Sequence, residues 1–117
     1  MIIDLAREFS PYPSGRFAGD SEFNGTRFRV EFLEPALRAA KESHQKVTVD
    51  IDGVRSFGSS FLEEAFAGLI RLGVYRRDDL RDLLEVRCTK PHLAIFRDTI
   101  ASYIKNAVPD DRAVAHH

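Results

Sequence analysis

The chain has 117 residues, of which 44% are hydrophobic and 30% are charged, values typical of one globular domain with its own core. Its 17 basic and 18 acidic side chains are interspersed, which excludes the basic footprint of a protein that binds nucleic acid or an anionic membrane surface. The single cysteine, Cys88, excludes an internal disulfide framework and fits a reducing cytosol. No apolar stretch approaches the roughly 20 residues of a membrane-spanning helix. We therefore expect a soluble cytoplasmic protein.

The first 25 residues predict one strand followed by turns. Residues 2–6 have the composition of a short first strand. Proline and glycine then recur between residues 10 and 25, which predicts turns there, with a short strand around residues 16–18.

Residues 26–43 carry two competing patterns. Residues 27–32 alternate in polarity like a strand, whereas the apolar residues of the whole segment share one helical stripe. Pro35 would bend a helix there, or would occupy the first turn of a helix that begins near Glu34. We favour a helix over most of 26–43, bent at Pro35.

A β-branched run over residues 46–52 predicts the central strand, which ends at an Asp-Gly turn. Ser60 and Glu63 then have the spacing of a capping box, in which the hydroxyl and the carboxylate bind N–H groups at the start of a helix. Gly73 is expected to end this helix. The stripe that the helix would bury consists of Leu62, Ala65, Phe66, Leu69 and Ile70.

The last third predicts a short helix over residues 78–84, a strand over residues 84–88 and a final helix that begins at Pro91. Cys88 lies on the apolar side of that strand and is expected to be a small core residue. The final helix would bury Leu93, Phe96, Ile100, Tyr103 and Ile104.

These elements fit one α/β domain over residues 1–106, followed by a polar tail over residues 107–117 that frays or belongs to a purification tag ending in His116 and His117. The strand at 46–52, the helix behind it and the strand at 84–88 form a βαβ unit, whose strands are parallel. Both strands alternate in polarity, so we expect helices mainly on one face of the sheet.

Several segments resemble STAS domains, the fold of bacterial anti-sigma-factor antagonists and of sulfate-transporter tails. The resemblance is closer still to a small bacterial STAS-like family of uncharacterised function. It spans about residues 16–106 and is carried by residues 26–29, 34–37, 49–54, 59–66 and 103–104. Together with the predicted elements, it implies a mixed sheet of about four strands with three to four helices mainly on one face. It further implies a signalling module that is not an enzyme and has no cofactor.

In anti-sigma-factor antagonists, the junction between strand and helix carries Asp-Ser-Ser-Gly. Its second serine is phosphorylated by a GHKL-type kinase that is also the anti-sigma factor. The resemblance places that serine at Ser60, beside Ser59. Gly58 stands in place of the motif's Asp, and Phe61 in place of its Gly.

The junction 53–61 therefore has two interpretations. Ser60 is a helix cap alone, or it is a cap that also receives a phosphate, with Arg55 as its partner and the two glutamates of the first turn opposing it. We expect a protein to dock here, and the resemblance implies that this partner is a GHKL-type ATPase or serine kinase. An exposed Phe57 or Phe61 would be the anchor. The expected contact residues are Arg55, Phe57, Gly58, Phe61 and Glu64.

An enzymatic alternative stays open at the end of the central strand. Asp50 and Asp52 have the Asp-x-Asp spacing of magnesium-dependent phosphatases, in which one carboxylate attacks phosphorus and the other acts as acid and base. A small phosphohydrolase would require the two carboxylates to converge on one metal-sized cleft.

Overall fold

A computed structural model describes residues 1–110 of the chain. Two helices, α2 and α3, are continuous, and in each of them a π-helical turn lies between two α-helical segments. In chain order the elements are β1 (Ile2–Asp4), α1 (Leu5–Glu8), α2 (Gly25–Phe28, Arg29–Leu33 and Glu34–Glu42), β2 (Val47–Asp50), α3 (Ser59–Leu62, Glu63–Ala67 and Gly68–Arg71), α4 (Arg77–Leu83), β3 (Leu84–Arg87), a 3₁₀ turn (Pro91–Leu93) and α5 (Ala94–Asn106).

The described residues contain one sheet of three parallel strands in the order β1-β2-β3. The parallel βαβ unit is confirmed, whereas the expected mixed sheet of about four strands is not found. β2 and β3 are each reached through helices, and such a crossover returns the chain to the same end of the sheet. The strand expected around residues 16–18 is wrong, because the Asp20 carboxylate accepts the N–H groups of Arg16 and Phe17 and holds them in a turn.

Burial alternates along the central strand, as predicted for a sheet covered on one face. Val47 and Val49 are fully buried, whereas Thr48 and Asp50 are partly exposed. The strand register aligns Asp50 with Asp4 on one side and with Arg87 on the other, so the second face carries polar side chains.

The helix favoured over residues 26–43 is confirmed and runs from Gly25 to Glu42. Its π-helical turn lies directly before Pro35, and the N–H of Glu34 bonds to the carbonyl of Arg29, five residues back. Proline has no N–H and crowds the carbonyl four residues before it, so a widened turn at this point accommodates Pro35 inside a continuous helix.

Helix α3 ends as predicted, because Gly73 has a φ of +73° and its N–H bonds to the carbonyl of Ile70 at 3.0 Å. The N–H of Val74 bonds to the carbonyl of Leu69 at 3.0 Å, which completes a Schellman motif. All five residues of the predicted α3 stripe are buried.

The end of α5 and the residues after it pack back onto the domain. Arg77 donates hydrogen bonds to the carbonyls of Ile104 and Ala107, and the N–H of Asp110 bonds to the carbonyl of Arg71 at 2.7 Å. His116 and His117 lie outside the described residues. Among residues 1–110, no helix has the length and apolar character needed to cross a bilayer.

Candidate functional site

The junction between β2 and α3 lies at the carboxyl edge of the central strand. Val54 turns into the core and is 2% exposed, while Arg55 and Ser56 are exposed. Ser59 and Ser60 are also exposed, on the first turn of α3. Both hydroxyls can therefore be reached from solvent.

The segment 10–14 lies along one side of this junction. The N–H of Arg55 bonds to the carbonyl of Pro11 at 2.8 Å, and the N–H of Gly58 bonds to that of Pro13 at 3.0 Å. A Cβ atom at Gly58 would lie 3.1 Å from the Cβ of Ser14, which is tighter than normal packing. This approach explains why a glycine occupies the position at which the related motif has an aspartate.

Tyr12 is the residue of this segment that sequence reasoning missed. It lies between the two prolines that accept the junction's hydrogen bonds and is 57% exposed. The Pro-Tyr-Pro pattern was the available signal, since flanking prolines limit the conformations of the tyrosine backbone.

The predicted capping box at Ser60 is wrong. The helix begins at Ser59 with Gly58 as its extended N-cap residue, and no side chain caps it. Ser60 therefore lies one position inside the first turn, where its hydroxyl cannot reach the N–H groups that a cap residue binds. Glu63 does not reach back to the start of the helix, because it is bound by two arginines.

Those arginines belong to a cluster of six charged side chains between α2, α3 and the segment after residue 15. Its members are Arg16, Arg29, Glu34, Glu63, Glu64 and Arg71. Glu63 pairs with Arg16 and, at 2.6 Å, with Arg71. Burial acts to raise the pKa of Glu63, but the Arg16 hydrogen bond and the Arg71 charge outweigh it, so its pKa lies below the usual value. The cluster has three positive and three negative side chains.

Glu64 lies in the interior of this cluster and is 4% exposed. Its carboxylate accepts hydrogen bonds from Arg29 at 2.7 Å and from Arg71 at 3.0 Å. The expectation that Glu64 contacts a partner is therefore wrong for this structure. Sequence reasoning missed the importance of Arg29, although a charged residue on a helix with an apolar stripe was a usable signal.

The aromatic anchor is also corrected. Phe61 is fully buried, with its ring centroid 5.8 Å from that of Phe28 and 6.0 Å from that of Phe9. Phe57 is half-buried, 6.2 Å from the Phe61 ring and 5.1 Å from the Phe96 ring. Phe61 is thus a core residue, whereas the outer part of Phe57 remains accessible.

The two aspartates of the enzymatic alternative have separate structural contacts. Asp50 accepts the N–H of Asp52 at 2.9 Å. Asp52 accepts the N–H and the hydroxyl of Thr89, at 2.7 and 2.6 Å, and the N–H of Lys90. These bonds tie the end of β2 to the loop after β3 and lower the pKa of Asp52. Residues 1–110 contain no group of three or more side chains suited to hold a metal ion.

The comparison with family models identifies this arrangement of strands and helices. Residues 24–91 match the model of a STAS-like domain of unknown function (DUF4325). The match includes α2, β2, the junction, α3 and β3, which is more than half of the chain. Searches of curated proteins and of solved structures returned no match. The chain belongs to this STAS-like family.

Proposed function

We propose that this domain is a regulatory module without enzymatic activity that docks a partner protein through the junction 53–61, and that phosphorylation of Ser60 switches the docking. The observation that carries the proposal is the exposure of Ser59 and Ser60 at the start of α3, at the carboxyl edge of the central strand. Partners and ligands of α/β sheets are commonly met at this edge.

The surroundings of Ser60 are compatible with a phosphate. A phosphoserine adds about −1.5 to −2 charges, which the N-terminal end of a helix stabilises. The nearby carboxylate of Glu63 is ion-paired with two arginines and that of Glu64 with three, so their repulsion of a phosphate is reduced. Arg55 is exposed in the preceding loop and provides a positive charge.

The accessible groups around the hydroxyls have the composition of a docking surface. Tyr12 and Arg55 are exposed, Phe57 is half-buried, and the backbone bonds from residues 55 and 58 to residues 11 and 13 hold them together. Tyrosine and arginine are among the residue types that most often dominate protein interfaces. We therefore assign Tyr12, Arg55 and Phe57 as the contact residues.

The partner class follows from the family resemblance. Related STAS domains with two adjacent serines at this junction bind a GHKL-type ATPase that phosphorylates the second serine, and we propose a partner of this class in the cytoplasm of a bacterium. Phe61 differs from the motif glycine, but its ring is buried and takes no part in the surface that a kinase would meet.

The test uses the full chain as bait in extracts of cells that naturally produce it. The variants are Ser60→Ala, Ser60→Asp and Tyr12→Ala, with Ser102→Asp as the matched control because Ser102 is an exposed helical serine away from the junction. We expect the wild type to retain a protein that Ser60→Asp and Ser60→Ala retain to different extents and that Tyr12→Ala loses. Mass spectrometry of the native protein should find phosphate on Ser60.

Ser102→Asp should behave like the wild type in the same experiment. Equal retention by Ser60→Ala and Ser60→Asp would remove the switch, and no retained protein with the wild type would remove the docking function. Circular dichroism of each variant separates these outcomes from loss of fold.

A further inference from the structure

A second surface lies between α4, β3 and α5. It is an open groove of about 500 Å³. Its floor is apolar and includes Leu84 and Val86 of β3 and Ile100 of α5. Leu84 and Val86 are only half-buried, so residues 1–110 cover the core incompletely at this edge of the sheet.

The rim of the groove is basic. Arg77, Arg81, Arg97 and Lys105 line it, and none of the lining residues among 1–110 is acidic. Arg77 is held by the carbonyls at the end of α5. Arg81 and Arg97 pair with Asp78 and Asp98 in exposed contacts of 3.4 and 3.2 Å, which are easily exchanged for other partners.

Within the part of the chain that the structure describes, β3 is an edge strand, so one side of its backbone is free. The carbonyl of Arg87 accepts the N–H of Ile51, so the backbone groups of Arg87 and, two residues earlier, of Glu85 point towards β2. Those of Leu84 and Val86 point away from the sheet. The N–H of Leu84 bonds to the carbonyl of Leu80 at the end of α4. The carbonyl of Leu84 and both backbone groups of Val86 therefore remain at the free edge.

We infer that this groove binds an extended acidic segment of a partner protein, which pairs with β3 as a fourth strand. The apolar side chains of this segment that face the groove would cover Leu84 and Val86. Carboxylates at the two ends of the segment would pair with Arg81, Arg97 and Lys105. Strand addition of this kind gains affinity from main-chain bonds and specificity from alternate side chains. A second copy of this chain does not fit, because pairing two β3 edges would bring two basic rims together.

The test uses the full chain and a short fluorescent peptide of alternating valine and threonine with glutamates at both ends. Two control peptides are used, one with lysines at the ends and one in which every backbone nitrogen is methylated and none can donate a main-chain bond. Binding is followed by fluorescence anisotropy, and the amide of Val86 by NMR. We expect the glutamate peptide to bind and to shift the Val86 resonance, and both controls to bind about tenfold more weakly or less.

The double variant Arg97→Glu/Lys105→Glu should weaken binding of the glutamate peptide by about tenfold or more. Its matched control is Arg7→Glu/Lys41→Glu, which makes the same charge change at exposed residues of α1 and α2. Equal loss in both variants, equal binding of the lysine peptide, or an unshifted Val86 amide would overturn the inference. Laurate is tested in the same way as a probe for a fatty-acid site. If laurate binds in the groove and the peptide does not, the inference is also overturned.

Discussion

Arg29 and Glu64 form an ion pair at 2.7 Å between the π-helical turns of α2 and α3, and each side chain is 5% exposed. The same guanidinium nitrogen of Arg29 donates to the backbone carbonyl of Glu64 at 2.7 Å. Gly68 lies beneath it, where a Cβ atom would come within 2.5 Å of that nitrogen. The pair therefore joins the two helices that bracket the central strand and fixes where α3 presents its first turn.

Arg29→Met is expected to lower the free energy of unfolding by about 3–5 kcal/mol, because it leaves the Glu64 carboxylate buried without its closest partner. The stability of a small domain is about 5–15 kcal/mol, so urea denaturation should show a large shift of the midpoint. Arg81→Met is the control, since the Arg81 and Asp78 side chains are 73% and 84% exposed and their pair contributes under about 1 kcal/mol. Similar losses in the two variants would contradict a structural role for the buried pair.

Ser60→Ala is expected to change the free energy of unfolding by less than about 0.5 kcal/mol, because the Ser60 hydroxyl does not cap α3. Asn24→Ala should cost about 0.5–2 kcal/mol, since the Asn24 side chain is buried and accepts the N–H of Arg27 at 2.9 Å at the start of α2. The two variants are compared by urea denaturation. A loss at Ser60 equal to that at Asn24 would mean that the serine caps the helix after all.

The wrong capping box at Ser60 shows that local spacing alone does not determine where a helix begins. The Ser60 to Glu63 spacing is a local pattern. In the structure, Gly58 is the N-cap residue and packs against Ser14, and Glu63 pairs with Arg16 and Arg71. Contacts between segments that are distant in sequence have no local signature. The Gly73 stop and the apolar stripe of α3 were predictable because both depend on residues within one helix.

The same limit applies to the aromatic residues. The position beside two serines predicts an exposed anchor at Phe57 or Phe61, whereas the Phe61 ring packs on rings from α2 and from the segment after α1. The helix over residues 26–43 was predictable from its stripe, but the π-helical turn that accommodates Pro35 was not. The βαβ order alone predicts the parallel pairing of β2 and β3. It does not determine the number of strands, for which about four were expected and three are found in the described residues.

His44→Gly is expected to raise the free energy of unfolding by about 0.5–1 kcal/mol. His44 has a φ of +56° at the end of α2, a conformation that costs a side-chain-bearing residue about 1–2 kcal/mol and costs glycine little. Gly73→Ala is the reciprocal variant, because Gly73 has the same role at the end of α3 with a φ of +73°. It should lower the free energy of unfolding by about 1–2 kcal/mol. The free energies are measured by thermal and urea denaturation. A change of the same sign in both variants would contradict this assignment.

The bond from the Thr89 hydroxyl to Asp52 makes a prediction about pH. This bond is the main cause of the lowered pKa of Asp52, followed by the bond from the Thr89 N–H. A carboxylate whose pKa is lower in the folded state stabilises the protein above its unfolded pKa of about 3.9, and that contribution is lost as the pH falls through the folded pKa. The destabilisation caused by Asp52→Asn should therefore be present at neutral pH and should disappear in acid.

Thr89→Val should raise the pKa of Asp52 towards its ordinary value, because it removes the hydroxyl donor and keeps the backbone N–H groups of Thr89 and Lys90. The measurement is a ¹³C NMR titration of the Asp52 carboxyl carbon. Thr99→Val is the matched control, since the Thr99 hydroxyl donates to the carbonyl of Ile95 within α5 and does not contact Asp52. A pKa of Asp52 that is the same in Thr89→Val and in the wild type would show that this hydroxyl does not hold the end of β2 to the loop after β3.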